Sequence, residues 1–142
     1  MLVKRRRQRS FSSEETLDAG RKLLLDLPQT AVLAISGDLG AGKTTLVKGI
    51  VEAATEENPR TISSPTFTYL NIYHGTRTVY HFDLYRLKEE KEFLNLGLSD
   101  YLEAEGICCI EWPERIPNLL PKTTLFIQLL YRNESEREIL FL

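Results

Sequence analysis

The chain has 142 residues, the length of one ordinary domain, and a formal net charge of −2. Hydrophobic residues make up 42% and charged residues 27%, which is normal for a soluble globular protein with one compact core and excludes a second independent domain. No apolar run approaches the roughly 20 residues that a membrane span requires. The first residues lack the apolar segment of a signal peptide, so we expect a cytoplasmic protein that does not associate with membranes.

Basic residues are concentrated at the start of the chain. Five of the 18 lie within residues 1–9, which contain no acidic residue, and the rest of the chain has 13 basic and 20 acidic residues. We therefore expect an acidic domain over residues 12–142, preceded by a basic arm over residues 1–11. The arm, with its cluster from Lys4 to Arg9, is either a solvated segment without fixed structure or a contact for RNA or for an acidic partner surface.

The first half of the chain predicts a strand between two helices. Ser12 followed by Glu15 is a capping-box pattern, which predicts a helix over residues 13–26. Residues 31–35 form a continuous apolar run, as in a strand that is buried on both faces of a parallel sheet. A glycine-rich segment follows, and a second helix is expected over residues 43–54.

The second half predicts mainly strands. Two runs rich in aromatic and β-branched residues, 66–73 and 78–84, indicate a β-hairpin. An apolar run over residues 107–110 includes Cys108 and Cys109, which we interpret as small buried side chains. Short helices are expected over residues 89–95 and 99–103, and a proline-containing loop over residues 112–121. Residues 124–131 and 137–142 are expected to form a closing pair of antiparallel strands. With the glycine-rich segment, this order predicts an α/β, P-loop NTPase-like three-layer fold, whose mixed sheet is parallel at its centre and has antiparallel hairpins.

Residues 37–44, GDLGAGKT, match the Walker A pattern at every fixed position. Glycines allow backbone N–H groups to point at phosphates, and the helix that begins near Lys43 adds its positive N-terminal end. In this chemistry Lys43 reaches the terminal phosphates, the Thr44 hydroxyl ligates Mg²⁺ and Thr45 contacts the inner phosphate. The nucleotide-binding residues predicted from this segment are Asp38, Leu39, Gly40, Ala41, Gly42, Lys43, Thr44 and Thr45.

A P-loop NTPase also needs an acidic residue at the end of an apolar strand, where it positions the metal ion and its waters. Two residues fit this requirement: Asp83 follows residues 79–82, and Glu111 follows residues 107–110. Glu111 is favoured because its strand has the pattern of burial on both faces, whereas the strand before Asp83 alternates more and is expected nearer an edge. A solvated acid at a strand end is the alternative for both.

Three further residues are candidates with open alternatives. Thr66 lies in the polar loop 63–67, which either meets the metal or the γ-phosphate like a switch loop or is an ordinary loop. Trp112 directly follows Glu111 and either walls the site or belongs to the core. Arg86 either stabilises transferred phosphate charge or forms a structural ion pair.

Four segments together resemble one known family. They are residues 37–45 (GDLGAGKTT), 64–67 (SPTF), 81–87 (HFDLYRL) and 110–114 (IEWPE), in this order. With them the chain closely resembles the bacterial TsaE (YjeE) family over about residues 12–142. The combination of the last two motifs with the P-loop is far more specific than Walker A alone.

The resemblance implies a small Mg²⁺-dependent ATPase and assigns roles within it. Lys43 would hold phosphates and act in catalysis, and Thr44 and Glu111 would coordinate Mg²⁺. Glu111 and Asp83 would be needed for hydrolysis, Asp83 by orienting water or the metal.

Other residues would complete the nucleotide site by the same resemblance. Thr66 would belong to the switch-like loop, and Trp112 would lie beside the site. The family's N-terminal segment lies near the nucleotide base, which assigns Phe11 and Ser12 to a possible adenine contact.

The resemblance also implies a biological role. The family is required for the threonylcarbamoyladenosine modification of tRNA next to the anticodon, and it works with the proteins TsaB and TsaD. TsaD carries the transfer chemistry, and the TsaE protein binds the TsaB–TsaD pair and hydrolyses ATP, so its relation to tRNA is indirect. The basic run at residues 4–9 departs from the family pattern and offers a possible direct contact with tRNA. The C-terminal end at Leu142 leaves little tail, so contacts of a longer tail are not expected.

Three alternative functions fit the P-loop alone. A small-molecule or nucleoside kinase is disfavoured because the chain is short and has no arginine-rich lid after the core. A GTPase is disfavoured because no Asn-Lys-x-Asp motif for guanine occurs. The third is a binding module that responds to nucleotide and whose slow hydrolysis is incidental.

Overall fold

A seven-stranded mixed sheet forms the centre of the computed structural model, which describes residues 3–142. Its order is β1-β7-β6-β2-β5-β4-β3. The strands are β1 (Arg6–Ser10), β2 (Ala31–Ser36), β3 (Leu70–Tyr73), β4 (Val79–Asp83), β5 (Ile107–Glu111), β6 (Leu125–Asn133) and β7 (Glu136–Phe141). The α-helices are α1 (Ser13–Leu25), α2 (Lys43–Thr55) and α3 (Glu90–Asn95), and short 3-10 helices span Pro59–Thr61, Leu98–Leu102 and Pro113–Arg115.

The centre of the sheet is parallel and its margins are antiparallel. β2 pairs in parallel with β5 and β6, and β5 pairs in parallel with β4. β3–β4, β6–β7 and β1–β7 are antiparallel pairs. The continuous apolar sequences of β2 and β5 are buried along nearly their whole length, as central parallel strands require. The predicted α/β fold class is therefore confirmed.

Helices α1 and α2 cover one face of the sheet and contact each other closely. A Cβ atom at Gly20 would lie 2.2 Å from the Leu46 carbonyl oxygen, and one at Gly49 would lie 2.0 Å from that of Leu17. Only glycine allows this approach of the two backbones. The other face of β2, β5 and β4 packs on α3 and its flanking loops, with Phe82 against Phe93 at its centre.

Most element predictions agree with the structure, with differences at the margins. The Ser12 hydroxyl accepts from the Glu15 N–H at 3.0 Å, as the capping-box pattern predicts, and the Glu15 carboxylate accepts from Phe11 N–H at 3.2 Å. The first hairpin strand is shorter than predicted, because residues 66–69 form a turn before β3. Cys108 and Cys109 are buried in β5 as free thiols, and burial raises the pKa of both.

The basic segment at the start of the chain is an edge strand of the sheet, which corrects the expectation of an arm separate from the domain. β1 pairs antiparallel with β7, from Arg6 opposite Phe141 to Ser10 opposite Arg137. The Arg6 guanidinium lies 4.1 Å from the centroid of the Phe141 ring, so an arginine covers the apolar surface that an aliphatic residue would otherwise cover. Residues 1 and 2 of the expected arm lie outside the described residues. Within residues 3–142, no helix is long and apolar enough to cross a membrane.

Candidate functional site

A cleft of about 490 Å³ lies at the carboxyl ends of the parallel strands β2, β5 and β4, beside the N-terminus of α2. Open α/β sheets bind ligands at this edge. The cleft is lined by Ser12, Ser13, Thr16, Leu39, Gly40, Gly42, Lys43, Thr44, Thr45, Ser64, Thr66, Asp83, Tyr85, Arg86, Glu111, Trp112, Glu134, Ser135 and Arg137. Among the predicted site residues, Asp38, Ala41 and Phe11 do not line it. Ala41 is fully buried, and its N–H donates to the Asp38 carbonyl at 3.0 Å.

The glycine-rich loop between β2 and α2 has the backbone that a phosphate cradle requires. Gly40 and Gly42 have φ values of 80° and 101°, which L-residues with side chains rarely adopt. Gly42 is the N-cap residue of α2, so the first turn of the helix directs its backbone N–H groups into the cleft. The loop therefore combines N–H donors with the positive end of a helix, as an anion site does.

Lys43 lies over this loop. Its ammonium group donates to the carbonyl oxygens of Gly37 and Asp38, the latter at 3.0 Å, and lies 4.4 Å from the centroid of the Trp112 ring. The residue is only 5% exposed, and burial lowers its pKa, while the nearby carboxylates, Glu111 foremost, act in the opposite direction. A phosphate group at the loop would offset the cost of burying this charge.

Thr44 and Glu111 meet although they are 67 positions apart in the chain. The Thr44 hydroxyl donates to both carboxylate oxygens of Glu111, at 2.9 and 3.0 Å. The hydroxyl proton is thereby directed to the carboxylate, and the hydroxyl oxygen stays available to a cation in the cleft. This arrangement fits Mg²⁺, which prefers a few protein oxygen ligands together with phosphate oxygens and waters. Within the described residues, no three His, Cys, Asp or Glu side chains form a metal cluster by themselves.

His81, in the neighbouring strand β4, also contacts the Glu111 carboxylate. Its Nε2 is 2.6 Å from Glu111 Oε2, and the imidazole is fully buried. Among residues 3–142 its Nδ1 has no hydrogen-bond partner. Sequence reasoning did not single out His81, although its place two residues before Asp83 puts its side chain on the same face of β4. Glu111 is therefore held on one side by Thr44 and on the other by His81.

Asp83 lies beside Glu111, because β4 and β5 are parallel neighbours with these two residues in register. It accepts hydrogen bonds from the Ser64 hydroxyl, from Thr66 Oγ1 at 3.2 Å and from the Tyr85 N–H at 3.0 Å. Both acidic candidates thus reach one cleft, and hydrogen bonds join the loop that contains Thr66 to Asp83. β4 is the strand next to the edge, and its end is as buried as that of β5.

Trp112 forms one wall of the cleft. Its backbone has φ 61° and ψ 50°, a left-handed conformation that is strained for a bulky residue and persists only where the surroundings impose it. The ring lies between Lys43 and Tyr85, whose ring centroid is 5.0 Å away. Arg86 also lines the cleft, with its guanidinium 4.6 Å from the centroid of the Phe67 ring.

The far end of the cleft contains residues that sequence reasoning missed. Ser12 lines it, whereas Phe11, which is 52% exposed, does not. Arg137 donates from Nε to the Gly40 carbonyl at 3.2 Å and so connects β7 to the glycine-rich loop. No local pattern indicates this role, because it depends on the β6–β7 hairpin folding over the loop.

Comparison with known proteins gives one consistent family. Residues 10–139 match the family model described as Threonylcarbamoyl adenosine biosynthesis protein TsaE. The tRNA threonylcarbamoyladenosine biosynthesis protein TsaE of Treponema pallidum is 38% identical over 92% of this chain and 95% of its own length. The protein of the same description from a Nostoc species is 44% identical over 88% of this chain and 78% of its own length. The crystal structure of Bacillus subtilis YdiB is similar with a TM-score of 0.78 and 33% identity, over 99% of this chain and 86% of that one.

Proposed function

Because the chain belongs to the TsaE family of tRNA threonylcarbamoyladenosine biosynthesis proteins, we propose that it is the Mg²⁺-dependent ATPase subunit of that pathway. The P-loop NTPase-like fold, which it shares with Bacillus subtilis YdiB, supports a nucleotide-hydrolysing activity. We propose further that it acts in the cytoplasm on a pair of partner proteins, TsaB and TsaD, by binding and hydrolysing ATP. In this proposal it does not itself transfer the threonylcarbamoyl group.

One observation supports the proposal most strongly: the hydrogen bonds between Thr44 and Glu111 at the mouth of the phosphate loop. They join the first turn of α2 to the end of β5, with Lys43 beside them. A hydroxyl and a carboxylate at this place are the ligands and orienting groups that a nucleotide-bound Mg²⁺ uses. A glycine-rich turn without a nucleotide would not need a buried carboxylate here.

Each residue then has a definite task. Backbone N–H groups of the loop bind the phosphates, and Lys43 moves from the carbonyls of Gly37 and Asp38 to the terminal phosphates. Thr44 and Glu111 would hold Mg²⁺, which would supply positive charge to neutralise the charge that develops on the phosphate oxygens. Asp83 would orient the attacking water or a water of the metal, and its hydrogen bonds from Ser64 and Thr66 would couple the loop that contains them to the γ-phosphate.

The remaining lining residues bind the rest of the nucleotide in this proposal. Thr45 contacts the inner phosphate, and Trp112 closes the cleft beside Lys43. Ser12, on the far side of the loop, contacts the adenine base. ATP is proposed rather than GTP because the chain has no Asn-Lys-x-Asp sequence.

The test is ATP turnover by the purified chain, alone and with the TsaB–TsaD pair. We expect turnover that rises with the partners and falls to background in Lys43→Ala. The matched control is Lys48→Ala, which removes a lysine of the same helix that does not line the cleft and should retain turnover. Background turnover in the presence of both partners, or full turnover by Lys43→Ala, would contradict the proposal. Phosphate transfer to a small acceptor, or tighter binding of GTP than of ATP, would replace it with a kinase or a GTPase.

A further inference from the structure

Among residues 3–142, one half of the sheet has a face that no helix covers. Ile127 and Leu129 of β6 and Ile139 and Phe141 of β7 point to the core under α1 and α2. The alternate residues point the opposite way, yet within residues 3–142 the second core cluster, which covers β2, β5 and β4, contains no residue of β1, β6 or β7. We call this uncovered surface of β1, β7 and β6 the open face.

Three arginines lie on the open face beside Glu138. Arg9 is directly opposite Glu138 in the β1–β7 register, so both side chains point to the same face. Arg7 points to this face too, because it lies two residues before Arg9 in β1. Arg132 reaches the same carboxylate from β6. Arg5 precedes β1 and is exposed.

Glu138 holds two of these arginines in place. Its carboxylate accepts from Arg132 Nε at 2.8 Å and pairs with Arg7 Nε at 2.7 Å. The Glu138 side chain is only 7% exposed, although it lies on an uncovered face, while those of Arg7 and Arg132 are 69% and 46% exposed. The hydrogen bonds from Arg132 and its charge, then the charges of Arg7 and Arg9, lower the pKa of Glu138. The two guanidinium groups are therefore fixed over a buried carboxylate, with their remaining N–H donors directed to solvent.

The local charge contrasts with that of the whole chain. The chain has a net charge of −2, and residues 10–142 contain 13 basic and 20 acidic residues. A cluster of arginines on one face of an otherwise acidic protein produces a local positive field that attracts polyanions. Arginines held by a carboxylate present rigid forks, the geometry that binds phosphate oxygens best.

We propose that the open face binds the phosphate backbone of tRNA through Arg5, Arg7, Arg9 and Arg132. Phe126 of β6, which is 48% exposed, lies on the same face and offers a stacking surface for an unpaired base. The choice of RNA among polyanions rests on the family's role in tRNA modification and does not depend on ATP hydrolysis. The open face lies on a different part of the sheet from the nucleotide cleft, so one protein would contact ATP and tRNA at separate places.

The test measures binding of a fluorescently labelled tRNA transcript by anisotropy at several salt concentrations. Arg5→Gln/Arg9→Gln removes two charges and leaves both ion pairs of Glu138 intact. We expect an affinity lower by on the order of tenfold and a salt dependence reduced by about 1 to 2 units of slope, as for the loss of one or two phosphate contacts. The matched control is Arg60→Gln/Lys91→Gln, which removes the same charge from exposed residues elsewhere and should bind like the wild type.

Phe126→Ala tests the second part of the surface. We expect a Kd raised about fivefold or more with an unchanged salt slope, because stacking on an aromatic ring is not a charge interaction. A Kd equal to that of the wild type would overturn the stacking part of the proposal.

Three results would overturn the whole proposal. They are the absence of saturable tRNA binding by the wild type, equal losses in the test and control variants, and loss of binding to the TsaB–TsaD pair with unchanged tRNA binding in Arg5→Gln/Arg9→Gln. The last result would assign the open face to a protein partner. Lys43→Ala, which tests the nucleotide cleft, should keep its tRNA affinity, so failure of the ATPase proposal and failure of this one are distinguishable.

Discussion

Two buried glutamates in opposite halves of the sheet differ in the groups that hold them. Glu111, 2% exposed, is held by a hydroxyl and an imidazole, and within the described residues no lysine or arginine forms an ion pair with it. Glu138, 5% exposed, is held by the guanidinium groups of Arg7 and Arg132. In our proposals, the first site keeps negative charge for a cation, and the second presents positive charge to an anion. If both proposals hold, the partners of a buried carboxylate, rather than its burial, decide which ligand the site attracts.

The largest expected effect is the difference in ATP turnover between two matched variants, in which one or the other glutamate is replaced by glutamine. Glu111→Gln should lower ATP turnover with TsaB and TsaD on the order of 10²–10³-fold, because it removes charge from the metal site. Glu138→Gln should leave turnover within about twofold, because its arginines lie outside the cleft. Steady-state phosphate release measures both. Equal losses in the two variants would show that the halves are not independent.

The Glu111→Gln variant also separates hydrolysis from binding. We expect it to bind ATP and yet to fail in supporting tRNA modification. A variant that binds ATP, does not hydrolyse it and still supports modification would favour the nucleotide-responsive binding module over the ATPase.

Substitution of His81 should lower ATP turnover less than Glu111→Gln does. Since it holds Glu111 Oε2 at 2.6 Å, we regard it as a positioning residue for the metal site. His81→Leu should lower ATP turnover about 10- to 100-fold and raise the Mg²⁺ concentration needed for half-maximal rate, as loss of an orienting hydrogen bond does. His81→Gln, which retains a donor, should recover part of both. A loss of turnover with an unchanged Mg²⁺ requirement would mean that His81 serves only the packing of β4.

Much of the nucleotide half is predictable because its signals are local. The Walker A segment is contiguous, and an acid that ends an apolar strand is recognisable without knowing the strand's neighbours. The side-by-side placement of Asp83 and Glu111 cannot be predicted in this way, because it depends on the register of two parallel strands. His81 was missed for the same reason, since its partner lies on the next strand.

The arginine half is less predictable because it is made of non-local pairs. β1 has no alternating apolar pattern, and its strand conformation comes from pairing with β7 at the other end of the chain. In the sequence, Arg7 and Arg132 are typical of solvated charges, and only the folded structure pairs both of them with Glu138. The sequence therefore shows the basic charge directly, whereas the strand conformation follows only from the pairing with β7.

The smallest expected effect is a pH dependence that belongs to the arginine half alone. The arginines hold the pKa of Glu138 below its ordinary value of 4.5, so the folded state favours the ionised form more than the unfolded state does. The stability that this adds is complete above pH 4.5 and is lost as the pH falls through the lowered pKa. Chemical unfolding between pH 3 and 7 should show Glu138→Gln less stable than the wild type at neutral pH, with a difference that shrinks in acid. A difference independent of pH would contradict the ion-pair explanation.

The most direct test of the central proposal is the formation of threonylcarbamoyladenosine over many turnovers by a reconstituted TsaB–TsaD pair with tRNA. Three reactions are compared: one with this chain, one with Lys43→Ala and one with neither. We predict sustained modification only with the unaltered chain, while Lys43→Ala gives no more product than the reaction without it. Equal product in all three reactions, or full activity of Lys43→Ala, would contradict the assignment of the cleft as the ATP site on which the modification depends.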